Sequence, residues 1–159
     1  MARDAHFNKF IADQFADHEM AKQYIAVVHG RIPRPRGRLE SYMDSLGNIG
    51  PKGMQKFGSV KSGGKKAITE FEVIDSSSKF SLIQVQLHTG RTHQIRVHMS
   101  EDGHSIVGDT LYGSSPEWYT RLGRFLLHAQ SLTFIHPITK GSVRVESPVP
   151  PQFLEMIQK

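Results

Sequence analysis

Residues 87–99, Leu-His-Thr-Gly-Arg-Thr-His-Gln-Ile-Arg-Val-His-Met, gather much of the reactive side-chain chemistry of this chain. His88, Arg91, His93, Gln94, Arg96 and His98 stand there on an apolar frame. A strand, a tight glycine turn and a helix N-terminus bearing arginines can hold an anion, because unpaired backbone N–H groups and the helix dipole both favour negative charge. A metal fits less well. His88, His93 and His98 are spaced by five, whereas two ligands on one helix face want a spacing of four, and no acid sits among them. Hydrolysis by a side-chain nucleophile fits no better, since there is no G-x-S-x-G and no cysteine. Arg96 lies between Ile95 and Val97. Turned inwards it needs a fixed anionic partner, because an unpaired buried charge is costly, and no carboxylate lies close by in sequence. Turned outwards it snorkels to water. Spacing alone leaves both open.

The elements that must position these groups show in the hydrophobic pattern. Ala67–Ile74 and Phe80–His88 alternate apolar and polar residues around the turn Asp75–Lys79, which predicts a hairpin covered on one face. The Thr89–Thr92 turn leads into a helix over 93–102, with Thr92 as N-cap and Gly103 closing it. Upstream, Phe7, Phe10, Ile11 and Phe15 line one face of a helix over 4–17, with Asp4 as its cap. Gln23–His29 reads as a strand closed by Gly30, with Tyr24 at its start as a half-buried ring with a wet hydroxyl. A second strand is expected at 39–43. Downstream come a turn-rich loop over 105–113, a short helix at 116–122, and strand-like runs at 124–129, 131–136 and 143–146. Pro151 opens a terminal helix carrying Phe153, Leu154 and Ile157. The expected class is α+β, a mixed, mainly antiparallel sheet with flanking helices in a single domain over 1–159.

Composition narrows the partners. At 159 residues and 38% hydrophobic, the chain is long enough for a real core and too apolar for disorder. Twenty Lys+Arg against 15 Asp+Glu give +5, which leans towards polyanions, nucleic acid first. No apolar run approaches membrane-spanning length and no apolar signal core follows Met1, so a cytoplasmic protein is expected. Positive charge concentrates in two segments. Residues 31–38 hold four arginines, Arg31, Arg34, Arg36 and Arg38, among two prolines and a glycine, an irregular loop without an acid. Residues 46–66 hold Lys52, Lys56, Lys61, Lys65 and Lys66 with six glycines and no acid. That segment is not a P-loop, because Ser59 stands where the motif needs glycine. It reads as a long basic hairpin that either contacts a nucleic-acid phosphate backbone or is a solvated loop touching nothing.

Thr89-Gly90-Arg91-Thr92-His93-Gln94-Ile95-Arg96-Val97-His98, followed by Gly108-Asp109 and Tyr112-Gly113, resembles the T-G-R-x-H-Q-I-R-V-H … G-D-x-x-Y-G signature of RluA-like pseudouridine synthases. Lys22–Gly30 is similar to the family's K-x-Y-x-A-x-V-x-G strand, Ala67–Thr69 to its A-x-T segment, and Leu126–Ala129 with Leu132, Phe134 and His136-Pro137 to its L-H-A-x-x-L-x-F-x-H-P close. The match runs in order along essentially the whole chain.

The resemblance implies isomerisation of uridine to pseudouridine in ribosomal or transfer RNA, without metal or organic cofactor. An aspartate attacks the nucleoside, the glycosidic bond breaks, and the uracil rotates and re-bonds through carbon after being flipped from its stack. Tyr24 then matches the tyrosine that stacks on the flipped base, and Arg96 the arginine that pairs with the catalytic aspartate. Leu127 matches an apolar pocket residue, and Arg91, His93 and Gln94 are expected at the substrate. The family carries its aspartate in an H-R-L-D-x-x-T-S-G motif ahead of these segments, and this chain has no such motif. Ala2-Arg3-Asp4 resembles the family's entry to its first helix. The expectation is a synthase domain lacking its first part, inactive alone, with surface that could self-associate. The alternative is an RNA-binding module without catalysis.

Overall fold

A computed structural model describes residues 5–16, 20–49 and 53–158. Expectations for Asp4, the 2–4 segment and Lys52 fall outside these residues. The described part is built on one seven-stranded sheet in the order β3-β2-β4-β5-β1-β6-β7. The strands are β1 (Ala21–His29), β2 (Arg36–Gly47), β3 (Lys56–Ser59), β4 (Lys65–Ser76), β5 (Phe80–Leu87), β6 (Leu127–Ile135) and β7 (Ser142–Glu146). Every neighbouring pair is antiparallel. The helices are α1 (Ala5–Ala16), α2 (Gln94–Glu101), α3 (Pro116–Leu122) and α4 (Pro151–Ile157).

The strand alternation sends apolar side chains to both faces of the central strands. On one face Ala26, Val28, Phe71, Ile83 and Val85 pack against Ile95 and Met99 of α2. On the other, Ile25, Val27 and Leu82 pack against Phe153, Met156 and Ile157 of α4. Further along that second face α4 gives out. Arg36, Arg38, Glu70, Glu72, Gln84 and Gln86 line an open polar concavity of about 580 Å³ there.

Several boundaries differ from the sequence expectations. Residues 31–38 are not all irregular, because β2 begins at Arg36. Residues 36–42 of β2 pair only with β4, since β3 joins β2 from Met43 onwards. That stretch is therefore a sheet edge, where prolines just before the strand and a glycine within it are tolerated. The basic segment 46–66 contributes β3, which makes a hairpin with β2. The two runs at 124–129 and 131–136 form one strand, β6, and its start is set from outside. Val27 N–H donates to Leu126 O (3.0 Å), Leu126 N–H to Val107 O (2.9 Å) and Val107 N–H to Val27 O (2.9 Å). This ring of bonds pins the 105–109 and 124–127 loops against the centre of β1.

Helix α2 is not capped by Thr92. Its N-cap is His93, with φ 57 and ψ 17 and no side-chain cap bond. Gly103 follows the helix with φ 85, as expected for the residue that ends a helix in the left-handed region.

Candidate active-site cleft

The α2 face of the sheet carries a cleft of about 350 Å³ lined by Tyr24, Leu87, Arg91, His93, Gln94, Ile95, Arg96, Phe125 and Leu127. Tyr24, Arg96, Arg91, His93, Gln94 and Leu127, which the sequence singles out, all meet there. Tyr24 comes from β1, opposite Val85 of β5 and Ala129 of β6, beside a register shift between Gln23 and Tyr24. Burial pushes its phenol above the ordinary range, so the hydroxyl keeps its proton at neutral pH. Leu127 is the first residue of β6.

Arg96 does have a carboxylate partner, contrary to what sequence proximity suggests. Its Nε donates to Asp109 Oδ2 at 2.7 Å and its Nη2 to Asp109 Oδ1 at 2.8 Å. The side chains are 15% and 1% exposed, so this is a nearly dry, two-pronged pair. The guanidinium also lies 4.8 Å from the ring centres of both Tyr112 and Phe125, close enough for cation–π attraction. Nη1 is the remaining guanidinium nitrogen, and no partner holds it among the described residues.

Asp109 owes its place to a tight turn. Gly108 before it has φ 83, and a Cβ there would lie 2.6 Å from Arg124 O. Only glycine fits so close to that strand entry. Ser114 closes the turn, with its Oγ accepting from Gly108 N–H at 2.8 Å and its own N–H donating to Asp109 O at 2.9 Å. In sequence Gly108-Asp109 and Tyr112 show only as motif letters in a turn-rich loop, without a link to Arg96, and Phe125 gives no signal. The G-D-x-x-Y-G pattern was the signal available for the first three.

Gln94 is 2% exposed and acts as a peg. Its Oε1 accepts from Thr89 Oγ1 (2.7 Å) and Arg91 N–H (3.0 Å), and its Nε2 donates to Ile68 O and Thr69 Oγ1 (both 2.9 Å). It ties the 89–91 turn to β4 rather than reaching far into the cleft. His98, 3% exposed, continues the network, with Nδ1 2.8 Å from Thr69 Oγ1 and Nε2 2.9 Å from Ser41 Oγ. Burial lowers its pKa, with Glu101 pulling weakly the other way. His93 is likewise lowered, by burial and then by Arg96, against a smaller opposing pull from Asp109. Arg91 Nε donates to Lys66 O at 3.0 Å, which holds the side chain across the cleft mouth.

The three motif histidines do not converge. His88 meets Glu70 at 2.9 Å, while His93 and His98 belong to the separate networks above. Among the described residues, no three His, Cys, Asp or Glu side chains cluster closely enough to hold a metal ion.

The basic residues split into two sets. Three arginines of 31–38 find acids: Arg34 pairs with Asp102 at the end of α2 (2.7 Å), and Arg36 and Arg38 pair across the strands with Glu72 and Glu70 (2.7 Å each). Lys66 pairs with Glu40 at 2.6 Å. The β2–β3 hairpin instead lies beside the cleft. Lys65 and Phe57 share a groove with Gly90, Arg91 and Thr92, and Lys56 Nζ sits 5.6 Å from the centre of the Tyr112 ring. Lys61 is exposed in the same segment.

The architecture is that of pseudouridylate synthase domains. The solved structure of human RNA Pseudouridylate Synthase Domain Containing 1 superposes with a TM-score of 0.80 at 26% identity, over 96% of this chain and 64% of that one. A family model described as RNA pseudouridylate synthase matches residues 1–101, and the chain belongs to that family. Its relatives place it with the RluA-like members. It is 39% identical over 147 residues to ribosomal large subunit pseudouridine synthase D of Zymomonas mobilis, covering 88% of this chain and 45% of that protein. It is 38% identical over 137 residues to an uncharacterized RNA pseudouridine synthase of Bacillus subtilis, covering 86% and 46%. The chain thus spans about half the length of the curated relatives it matches.

Proposed function

We propose that this chain supplies the uridine-binding part of an RNA pseudouridine synthase acting on ribosomal or transfer RNA in the cytoplasm. The observation that carries this is the cleft itself, where a tyrosine ring, an apolar Leu127 wall and an arginine fixed by Asp109 meet in a family member. Tyr24 stacks on the flipped base, Leu127 closes its far side, and Arg91 holds the adjoining phosphate. Lys56, Lys61 and Lys65 extend that contact along the RNA backbone. Arg34, Arg36, Arg38 and Lys66 contribute less, because acids already engage them.

The reaction the family performs needs an aspartate against the ribose. The described aspartates are committed elsewhere: Asp13 to Lys9, Asp44 and Asp75 to the backbone N–H of the next residue, Asp102 to Arg34 and Asp109 to Arg96. None lines the cleft. Arg96 Nη1 is placed to receive one, with Asp109 holding the guanidinium plane from behind. With no H-R-L-D-x-x-T-S-G motif in its sequence and no described aspartate lining the cleft, this chain alone binds uridine in RNA without isomerising it, and the apolar residues exposed on it favour self-association. The discriminating assay is tritium release from RNA labelled at uridine C5, run beside RNA binding at several salt concentrations. Salt-sensitive binding without release is expected. Release by the chain alone contradicts the missing nucleophile, and no binding at low salt contradicts the whole reading.

A further inference from the structure

His93 occupies an unusual position. It is one of two described non-glycine residues with positive φ, and it sits where the turn enters α2. Its ring is wedged edge-on between Phe57 and Tyr112, with both centres 5.6 Å away. His93 Nδ1 lies 2.9 Å from the Tyr112 hydroxyl, and that hydroxyl accepts the backbone N–H of Phe57 in β3 at 3.0 Å.

These contacts decide where the imidazole proton resides. A backbone N–H can only donate, so Phe57 uses one lone pair of the Tyr112 oxygen. The phenol still has one proton of its own, and Tyr112 is 4% exposed. Among the described residues only His93 Nδ1 can take it. If Nδ1 carried the proton instead, the phenol O–H would be buried without an acceptor, which is costly. The neutral ring therefore holds its proton on Nε2. No described residue engages Nε2, and the ring lines the cleft with Tyr24 and Arg96.

We infer that docking of the β2–β3 hairpin, through Phe57 N–H and the Tyr112 hydroxyl, fixes His93 as a one-sided donor whose Nε2–H binds a carbonyl oxygen of the uracil in the cleft. Tyr112 is the positioning residue and His93 the one that touches substrate. This rests on the uridine-binding reading above. It adds that the basic hairpin and the base pocket are coupled, so a hairpin that lifts away releases the tautomer.

Nitrogen-15 NMR on the labelled 159-residue chain tests this, with oligouridylate as the probe. Long-range proton–nitrogen correlations are expected to show Nε2 protonated and Nδ1 bare, and the Nε2 signal is expected to move on adding RNA. Tyr112→Phe keeps the ring and removes its proton, so the His93 signals should shift towards a mixture of tautomers. His93→Asn suits the left-handed backbone, but its short amide cannot reach the Nε2 position. Oligouridylate affinity should fall on the order of tenfold, the scale of one lost hydrogen bond, with amide signals changed only around residue 93 and its neighbours Phe57 and Tyr112. A proton on Nδ1 overturns the inference, as does undiminished binding by His93→Asn. RNA that moves Tyr24 and Leu127 signals while leaving Nε2 unmoved also overturns it and spares the uridine-binding reading. RNA that moves none of the three overturns both.

Discussion

Replacing Asp109 by Asn probes the pair on which the cleft depends. The exchange is nearly isosteric, so packing is kept. It removes the charge and turns an amide N–H₂ towards either Arg96 Nε or Nη2, which are themselves donors at 2.7 and 2.8 Å. Breaking a buried ion pair from one side costs about 3–5 kcal/mol, because the other charge stays behind in a poor solvent. Arg96 is 15% exposed and keeps its two ring contacts, so the lower end, about 3 kcal/mol, applies. For a chain of this length, 1 kcal/mol moves Tm by about 2–4 °C, so a fall of about 6–12 °C is expected. Urea unfolding followed by circular dichroism measures the free energy directly. Arg96→Met alone strands Asp109 and should cost a similar amount. The double variant leaves no unpaired charge, so its cost should fall short of the sum of the singles by about 1.5 kcal/mol or more. Costs that add within about 0.5 kcal/mol would refute the view that these residues act as one unit.

Other consequences are open to direct measurement. Thr69→Val preserves shape but removes the hydroxyl shared by Gln94 and His98; chemical denaturation should show a loss of about 2 kcal/mol, the cost of leaving buried partners unsatisfied, and a change under about 0.5 kcal/mol would remove the network from the account. Burial lowers the pKa values of His29, His93 and His98, so the unfolded chain binds protons more readily than the folded one. Stability should therefore be fully present above about pH 6.5 and decline as pH falls below it. Urea midpoints at pH 7.5 and 5.5 test the sign, and a higher midpoint at the lower pH contradicts it. For RNA binding, Lys65→Ala should reduce the slope of log affinity against log salt by about 0.7, one single-stranded phosphate. Arg36→Ala should change it less, because Arg36 is already engaged by Glu72.

Much of this was legible from the chain. The alternation in Phe80–His88, Pro116 at the start of α3 and Pro151 at the start of α4 mark elements through local stereochemistry, and the structure places them where the sequence does. The motif letters brought Tyr24, Arg96 and Leu127 to one cleft. Three features were not legible, each for a physical reason. The partner of Arg96 lies across a turn whose shape depends on Gly108 approaching the entry to β6, a tertiary fact. Thr92 has the better capping side chain, yet His93 takes the N-cap because the Phe57 and Tyr112 rings hold it there. Residues 31–38 themselves contain no acid, but antiparallel pairing sets Arg36 opposite Glu72 and Arg38 opposite Glu70.

The central claim is that the cleft between Tyr24, Arg96 and Leu127 receives a uracil base. Single-stranded RNA with one 4-thiouridine, irradiated with the 159-residue chain and digested, locates the base to within contact distance. The account predicts cross-links on peptides containing Tyr24 or Leu127, lost when unlabelled oligouridylate competes. Cross-links confined to the opposite sheet face at Arg36–Arg38 and Glu70–Glu72 would contradict it.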